Sequence, residues 1–166
     1  LGCGLLNLTS KILILNFSMV VITLLKKLRN ETSVYLADCR KALEETKNDY
    51  KKALVWLKRR SIERAEKKVD RATLQGIVDA YIHQGGKVGV LVEVLCETDF
   101  VAKTDEFGHL VKEIGMQVAA MSPKDVDSLM RQEYIRDGSQ TIEQLIKGVA
   151  GKLGENIVVK RCVRFE

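Results

Sequence analysis

Two apolar runs joined by a glycine turn constrain the fold of this chain more than any other feature. Residues 77–83 are rich in β-branched and aromatic side chains, and residues 88–96 alternate so that four valines share one face. Such patterns are typical of strands in a sheet with one buried face. The connection contains Gly85 and Gly86, which accept the positive φ angles of a tight turn. The sequence therefore predicts a β-hairpin.

Helical periodicity flanks this hairpin on both sides. Residues 22–31, 34–45 and 49–60 predict three short helices before it. The first helix is expected to bury Ile22, Leu25 and Leu28. The second helix is expected to bury Leu36, Cys39 and Leu43. After the hairpin, a longer pattern predicts a helix packed on the sheet, with a buried face of Phe107, Leu110, Val111, Ile114, Val118 and Met121.

Two capping signals and a closing strand complete the pattern. Ser122, followed by Pro123, is predicted to cap a short helix. Residues 141–144 form a capping-box start for the last helix. Residues 157–165 alternate, and we expect them to add a third strand to the hairpin.

These elements predict an α+β fold, in which a three-helix bundle precedes a three-stranded antiparallel sheet with helices packed on one face. The expected organisation is an N-terminal extension (1–20), a three-helix module (21–61), a basic linker (62–75) and an α+β core (76–166). The chain starts with leucine, and Met19 directly precedes the first helix. One hypothesis is therefore that residues 1–18 come from a misplaced start, which mass spectrometry of the native N-terminus would test.

Charge is concentrated in one part of the chain. The sequence has 27 Lys and Arg against 22 Asp and Glu, a formal net charge of +5. The stretch from Lys58 to Arg71 is basic enough to bind RNA or an acidic partner, and a solvated helix face is an equal alternative. The uncharged stretch between Lys11 and Lys26 is shorter than the roughly 20 apolar residues of a membrane span, so we expect no membrane role.

Signals for metal, nucleotide or catalytic chemistry are weak. The four cysteines, at positions 3, 39, 96 and 162, form no CxxC pair, and there are only two histidines. A zinc site or a disulfide framework is therefore not expected, and the cysteines are interpreted as small buried apolar residues in a reducing compartment. Residues 85–89 lack the spacing of a phosphate loop. A Cys96–His83 nucleophile pair is the one enzymatic alternative, and a buried cysteine near a surface histidine is the simpler interpretation.

The most informative segment lies where the second strand of the hairpin ends and the next helix is due to begin. It contains Thr98, Asp99, Phe100 and Val101. Thr98 or Asp99 can cap that helix, and Phe100 early in a helix can belong to the core. An acidic and an aromatic side chain at such a corner can also project together towards a partner.

Three segments resemble one family, in the same order along the chain. Residues 88–102, which end in Thr-Asp-Phe-Val-Ala, resemble the signature of the elongation factor Ts family. Residues 24–43 resemble its N-terminal signature, and residues 154–161 resemble its terminal strand. The family carries a longer helical insert where this chain has only residues 124–140.

The resemblance implies a guanine nucleotide exchange factor that binds elongation factor Tu with GDP, disturbs its Mg²⁺ site and lets GTP rebind. Asp99 and Phe100 would intrude beside the nucleotide, and Thr98 and Val101 would complete the corner. The module would be UBA-like and would contact the partner through the residues that match Arg29, Leu36 and Ala37.

The resemblance further implies no catalytic residue, no metal, no cofactor and no direct nucleotide binding by this chain. Nucleic acid would not be required, and the oligomeric state is left open. The protein would act in the cytoplasm if bacterial, and otherwise in the chloroplast stroma or the mitochondrial matrix. Two alternatives stay open: an RNA-binding or ribosome-associated protein that uses the stretch from Lys58 to Arg71, and a ubiquitin-type adaptor that uses the three-helix module.

Overall fold

The computed structural model describes residues 20–166, so the hypothesis about residues 1–18 lies outside the described residues. The chain divides into two compact units, one ending at Arg59 and the other formed by residues 60–166. Within the described range, no helix is long and apolar enough to cross a membrane.

The first unit is a bundle of three helices, α1 (Ile22–Thr32), α2 (Leu36–Glu45) and the part of α3 (Tyr50–Glu66) that precedes Arg60. Its core is apolar and is formed by Leu28, Val34, Cys39, Ala42, Leu43, Ala53 and Leu57. Helix α3 extends beyond the predicted end, through the first residues of the stretch expected to be a linker.

Two of the expected core positions in the bundle are wrong. Ile22 and Leu36 are exposed, although both fit the apolar periodicity of their helices. Each is the first residue of its helix, α1 or α2. Short helices bury mainly their middle turns, so an apolar residue at the first position is not covered by its neighbours.

The second unit contains the predicted three-stranded sheet and its helices. Its strands are β1 (Gln75–Ile82), β2 (Gly89–Cys96), a small pair β3 (Glu133–Tyr134) and β4 (Asp137–Thr141), and β5 (Ile157–Phe165). Its helices are α4 (Asp99–Ala102), α5 (Asp105–Met121), α6 (Val126–Arg131) and α7 (Ile142–Leu153). The main sheet is antiparallel in the order β1–β2–β5, which confirms the hairpin and its third strand.

Alternation in β2 determines which face of the sheet becomes the core. Val90, Val92 and Val94 are buried against α5, whose Phe107 and Ile114 are fully buried. The predicted inner face of α5 is confirmed except at Met121, which is exposed. Met121 is the last residue of the helix and is followed by a left-handed Ser122, so the chain turns away there.

The residue that caps α6 is Asp125 and not Ser122. Ser122 takes a left-handed conformation, with φ of 45°, to end α5, whereas an N-cap residue requires an extended one. Asp125 is extended, and its carboxylate accepts the Ser128 backbone N–H at 2.7 Å. The capping box predicted for α7 is confirmed, with Thr141 and Gln144 bonding each other's backbone N–H groups.

The other face of the main sheet, here called the open face, is apolar and exposed. Its side chains are Val78, Ile82, Leu91, Val158, Val163 and Phe165. An ion pair crosses it, with Arg161 Nε 2.6 Å from Glu93 Oε2. Helices α5 and α7 pack on the opposite face, as the sequence predicts.

Candidate functional site

The corner, residues 97–104, leads the chain from the end of β2 through α4 to the start of α5. Thr98 has extended backbone angles and caps α4, since its hydroxyl accepts the Val101 N–H at 3.4 Å. Thr104 caps α5 in the same way, through the Phe107 N–H at 3.3 Å. Two threonine caps a few residues apart therefore confine α4 to a single turn.

Adjacent side chains of α4 have opposite environments. Val101 is only 8% exposed and belongs to the core of the second unit. Phe100 is 83% exposed, the highest exposure of any large apolar side chain among the described residues. Val101 therefore anchors the turn while Phe100 projects from it, and the alternative that Phe100 enters the core is wrong.

Asp99 shares the exposed side of the corner and carries a compensating cation. Lys103 Nζ lies 2.8 Å from Asp99 Oδ2, one helical turn away. The hydrogen bond and the charge of Lys103 lower the pKa of the Asp99 carboxyl. Asp99 is therefore ionised at neutral pH, and it faces solvent beside Phe100.

The loop before β5 supports the corner. The Thr98 backbone N–H and hydroxyl both donate to Glu155, at 2.9 and 2.5 Å. Asn156 is buried, and its backbone N–H donates to Glu97 Oε1 at 2.7 Å. Arg71 pairs with the same Glu97 carboxylate at 3.4 Å. Sequence reasoning did not single out Glu155 or Asn156, because only the pairing of β2 with β5 brings them to the corner.

The module residues that match the family lie on the surface of the first unit. Arg29 occupies the last turn of α1, and Leu36 and Ala37 begin α2. All three are exposed. The exposure of Leu36 contradicts its predicted place in the core. The same exposure leaves its side chain accessible to another protein.

The basic stretch is partly neutralised by the protein itself. Arg60 pairs with Glu63 at 3.3 Å, and Arg71 pairs with Glu97. Lys68 donates to the carbonyl oxygen of Gly154. Two of these three cations of the second unit are therefore ion-paired and the third is hydrogen-bonded, which makes all three less available to a nucleic acid.

The Cys96–His83 alternative fails on distance. Cys96 pairs with Gln75, whereas His83 follows Ile82, which pairs with Gly89 at the other end of the hairpin. His83 is eight residues from Gln75 along the hairpin. At about 3.3 Å per strand residue, Cys96 and His83 therefore lie about 26 Å apart. Cys96 is buried, which raises the pKa of its thiol and keeps it a poor nucleophile.

Metal and thiol chemistry finds little support elsewhere in residues 20–166. Over that range, no group of three or more His, Cys, Asp or Glu side chains is placed to hold a metal ion. Cys39 is buried and Cys162 is half-buried, and burial raises the pKa of both thiols. The described cysteines are therefore the small, largely buried residues that the sequence predicts.

Comparison with known proteins points to one family. The family model described as elongation factor TS matches residues 97–166. A protein of Coprothermobacter proteolyticus named elongation factor Ts is 43% identical over 188 residues, covering 86% of this chain and 95% of the relative. A protein of the same name from Thermoanaerobacter sp. is 39% identical to this chain over 193 residues, covering 89% of this chain and 95% of the relative. A third, from Nostoc sp., is 46% identical over 142 residues, covering 86% of this chain and 45% of the relative.

Two of these alignments are longer than the chain itself. They extend over 188 and 193 residues, whereas this chain has 166. Both relatives therefore carry residues, inside the aligned region, that this chain lacks. The expectation that a family insert is shortened at residues 124–140 stays a prediction, because alignment lengths give the presence of extra residues and not their position.

Proposed function

Because this chain belongs to the elongation factor Ts family, we propose that it is a guanine nucleotide exchange factor of translation elongation whose partner is elongation factor Tu. It binds the GDP-loaded partner, accelerates GDP release and leaves the site free for GTP. It acts by binding and supplies no catalytic residue. The relatives named above are bacterial proteins, which supports action in a bacterial cytoplasm or in an organelle of bacterial descent.

One observation carries this proposal, namely the exposure of Phe100 on a turn whose next residue is anchored in the core. Aromatic side chains that are exposed when free and buried on binding supply a large part of the energy of protein interfaces. Phe100 inserts between partner side chains as a wedge, and Asp99 accompanies it. Thr98 and Val101 contribute by holding the corner, since Val101 is buried and Thr98 caps α4.

Displacement of the partner's Mg²⁺ explains how a wedge can release nucleotide. Mg²⁺ bridges phosphate oxygens and neutralises their charge, so its loss removes a major part of nucleotide affinity. The exchange factor must then bind the nucleotide-free partner more tightly than the loaded one. By linkage, nucleotide and exchange factor weaken each other's binding by the same factor.

The energy of one side chain is too small for the whole effect. A thousandfold acceleration of GDP release requires about 4 kcal/mol, at about 1.4 kcal/mol per tenfold change in rate. Burial of one phenylalanine contributes about 1.5–3 kcal/mol. Further contacts are therefore needed, and we assign part of them to the UBA-like module through Arg29, Leu36 and Ala37.

The test is release of a fluorescent GDP analogue from elongation factor Tu with and without this protein. The wild-type chain should accelerate release. Phe100→Ala should fold normally and lower the accelerated rate about 10- to 100-fold, the range that corresponds to the burial energy of one phenylalanine.

A matched control is available in the same unit. Phe165 is also a surface phenylalanine, 62% exposed, but it lies on the open face at the end of β5. Phe165→Ala removes the same atoms and should leave the release rate unchanged. Equal rates for the Phe100 and Phe165 variants would contradict the wedge role, and no acceleration by the wild-type chain would contradict the exchange function.

A further inference from the structure

We propose that Glu155 is a positioning residue for nucleotide exchange, because its carboxylate fixes the backbone that presents Phe100. This inference rests on the exchange function proposed above. It assigns a role to the loop before β5, which lies far from the corner in sequence and next to it in the fold.

Glu155 belongs to a reciprocal exchange of hydrogen bonds beyond the end of the sheet. The β2–β5 ladder ends where Cys96 pairs with Ile157. One residue further, the Glu97 carboxylate accepts the backbone N–H of Asn156 at 2.7 Å. One more residue on, the Glu155 carboxylate accepts the backbone N–H of Thr98 at 2.9 Å. Side-chain carboxylates thus replace the carbonyl acceptors of the ladder while β2 turns into α4.

The contact between Glu155 and Thr98 is bidentate. In addition to the backbone bond on Oε2, Glu155 Oε1 accepts the Thr98 hydroxyl at 2.5 Å. Hydrogen bonds to an ionised carboxylate are shorter and roughly twice as strong as neutral ones. Because two donors of one residue meet two acceptors of one carboxylate, the contact fixes the orientation of Thr98 as well as its distance.

This orientation is transmitted to α4 through the cap. A threonine hydroxyl has one proton to donate and two lone pairs to accept with. Since the proton goes to Glu155, a lone pair is left for the Val101 N–H, which the Thr98 hydroxyl accepts at 3.4 Å. Phe100 is the second residue of the four-residue turn that this cap begins, so a rotation of the cap redirects its side chain.

Phe100 depends on this support more than a core residue would. Because 83% of its surface is exposed, packing within its own chain does little to set its direction. The loop that carries Glu155 is itself fixed, because the buried Asn156 amide donates to the carbonyl oxygens of Val69 and Arg71, both at 2.9 Å. Glu155 therefore connects the turn below Phe100 to a rigid point of the second unit.

The test compares Glu155→Ala and Glu155→Gln with the wild-type chain in the GDP-release assay. Glu155→Ala should slow release about tenfold, a part of the Phe100 effect, while the urea midpoint shows that the protein stays folded. Glu155→Gln keeps the side-chain length and one acceptor oxygen, so its release rate should fall between those of Glu155→Ala and the wild-type chain. The control is Glu133→Ala, which removes an exposed carboxylate from β3 and should not change the rate.

A double-mutant cycle separates positioning from general stabilisation. In the Phe100→Ala background, Glu155→Ala should have no further effect, because the side chain that it orients is absent. A slowing of equal size in both backgrounds, or a wild-type rate for Glu155→Ala, would overturn the proposal. If Glu155→Ala fails to fold, Glu155→Gln takes its place in the cycle, because it replaces the charged acceptor by a neutral amide of the same length. A wild-type rate for Glu155→Gln, or an equal slowing in both backgrounds, would then overturn the proposal.

The same data distinguish failure of the positioning role of Glu155 from failure of the exchange function. If Phe100→Ala slows release and Glu155→Ala does not, the positioning role is wrong and the exchange function stands. If the wild-type chain does not accelerate release at all, the exchange function fails, and the positioning role fails with it.

Discussion

Gly151 allows two segments of the second unit to approach each other at the backbone. A Cβ atom at this position would lie 2.0 Å from the carbonyl oxygen of Ser61, well inside any real contact. Gly151→Ala should therefore force α7 away from Ser61 and lower the free energy of unfolding by about 1–3 kcal/mol, the usual range for overpacking. Urea denaturation of the variant measures this loss.

Gly148, one turn earlier in the same helix, is the matched control. A Cβ atom there would meet nothing within 4 Å. Gly148→Ala should stabilise the protein by up to about 1 kcal/mol, because alanine favours the helix over glycine. A Gly151→Ala variant as stable as Gly148→Ala would contradict the close approach.

Tyr134 makes stability depend on pH in the alkaline range. Its hydroxyl donates to Glu113 Oε2 at 2.6 Å, and burial together with this bond raises the pKa of Tyr134 to about 12. The ordinary tyrosine pKa is about 10, so the folded protein favours the neutral phenol. The resulting stabilisation is complete below about pH 10 and is lost as the pH rises through about 12.

Tyr134→Phe provides the measurement of this effect. The variant should be less stable than the wild type at neutral pH, because Glu113 loses a buried hydrogen bond and keeps Arg136 as its ion-pair partner. The difference between the two urea midpoints should shrink between about pH 10 and 12. A difference that stays constant over that range would mean that Tyr134 does not titrate in the folded state as expected.

At the scale of elements, periodicity predicted most of the second unit. The alternation in β2, the helical spacing in α5 and the capping box of α7 each depend on neighbours in sequence, and all three are confirmed. The corner was also recognisable, because Thr98 follows an apolar strand and can cap a helix. Local patterns of this kind survive folding when the tertiary environment agrees with them.

The failures have a common physical origin in contacts that a local pattern does not contain. The strands β3 and β4 were not predicted, because a two-residue strand and one containing Gly138 and Ser139 carry no alternation. Residue type alone predicts Ser122 as a cap, although its left-handed backbone excludes that role. Glu155 was missed because it reaches the corner only through the register of β5 against β2.

At the scale of the whole molecule, the proposed function draws its binding energy from more than one surface of the chain. The corner offers one large exposed side chain, and the first unit offers Arg29, Leu36 and Ala37 on its own surface. Sequence resemblance was needed to connect these surfaces, since neither composition nor periodicity marks a residue as a partner contact. The burial of Val101 and the exposure of Phe100 could be read only from the fold.

The open face of the main sheet has a consequence for how the folding of this protein is monitored. The dye ANS fluoresces when it binds exposed apolar surface and is commonly used to detect loosely packed states. The native protein should bind the dye, because Leu91 and Val163 already form an apolar patch at the centre of this face. Leu91→Gln should reduce the fluorescence without altering near-ultraviolet circular dichroism. Dye fluorescence from the intact protein then indicates an ordered surface and not a molten one.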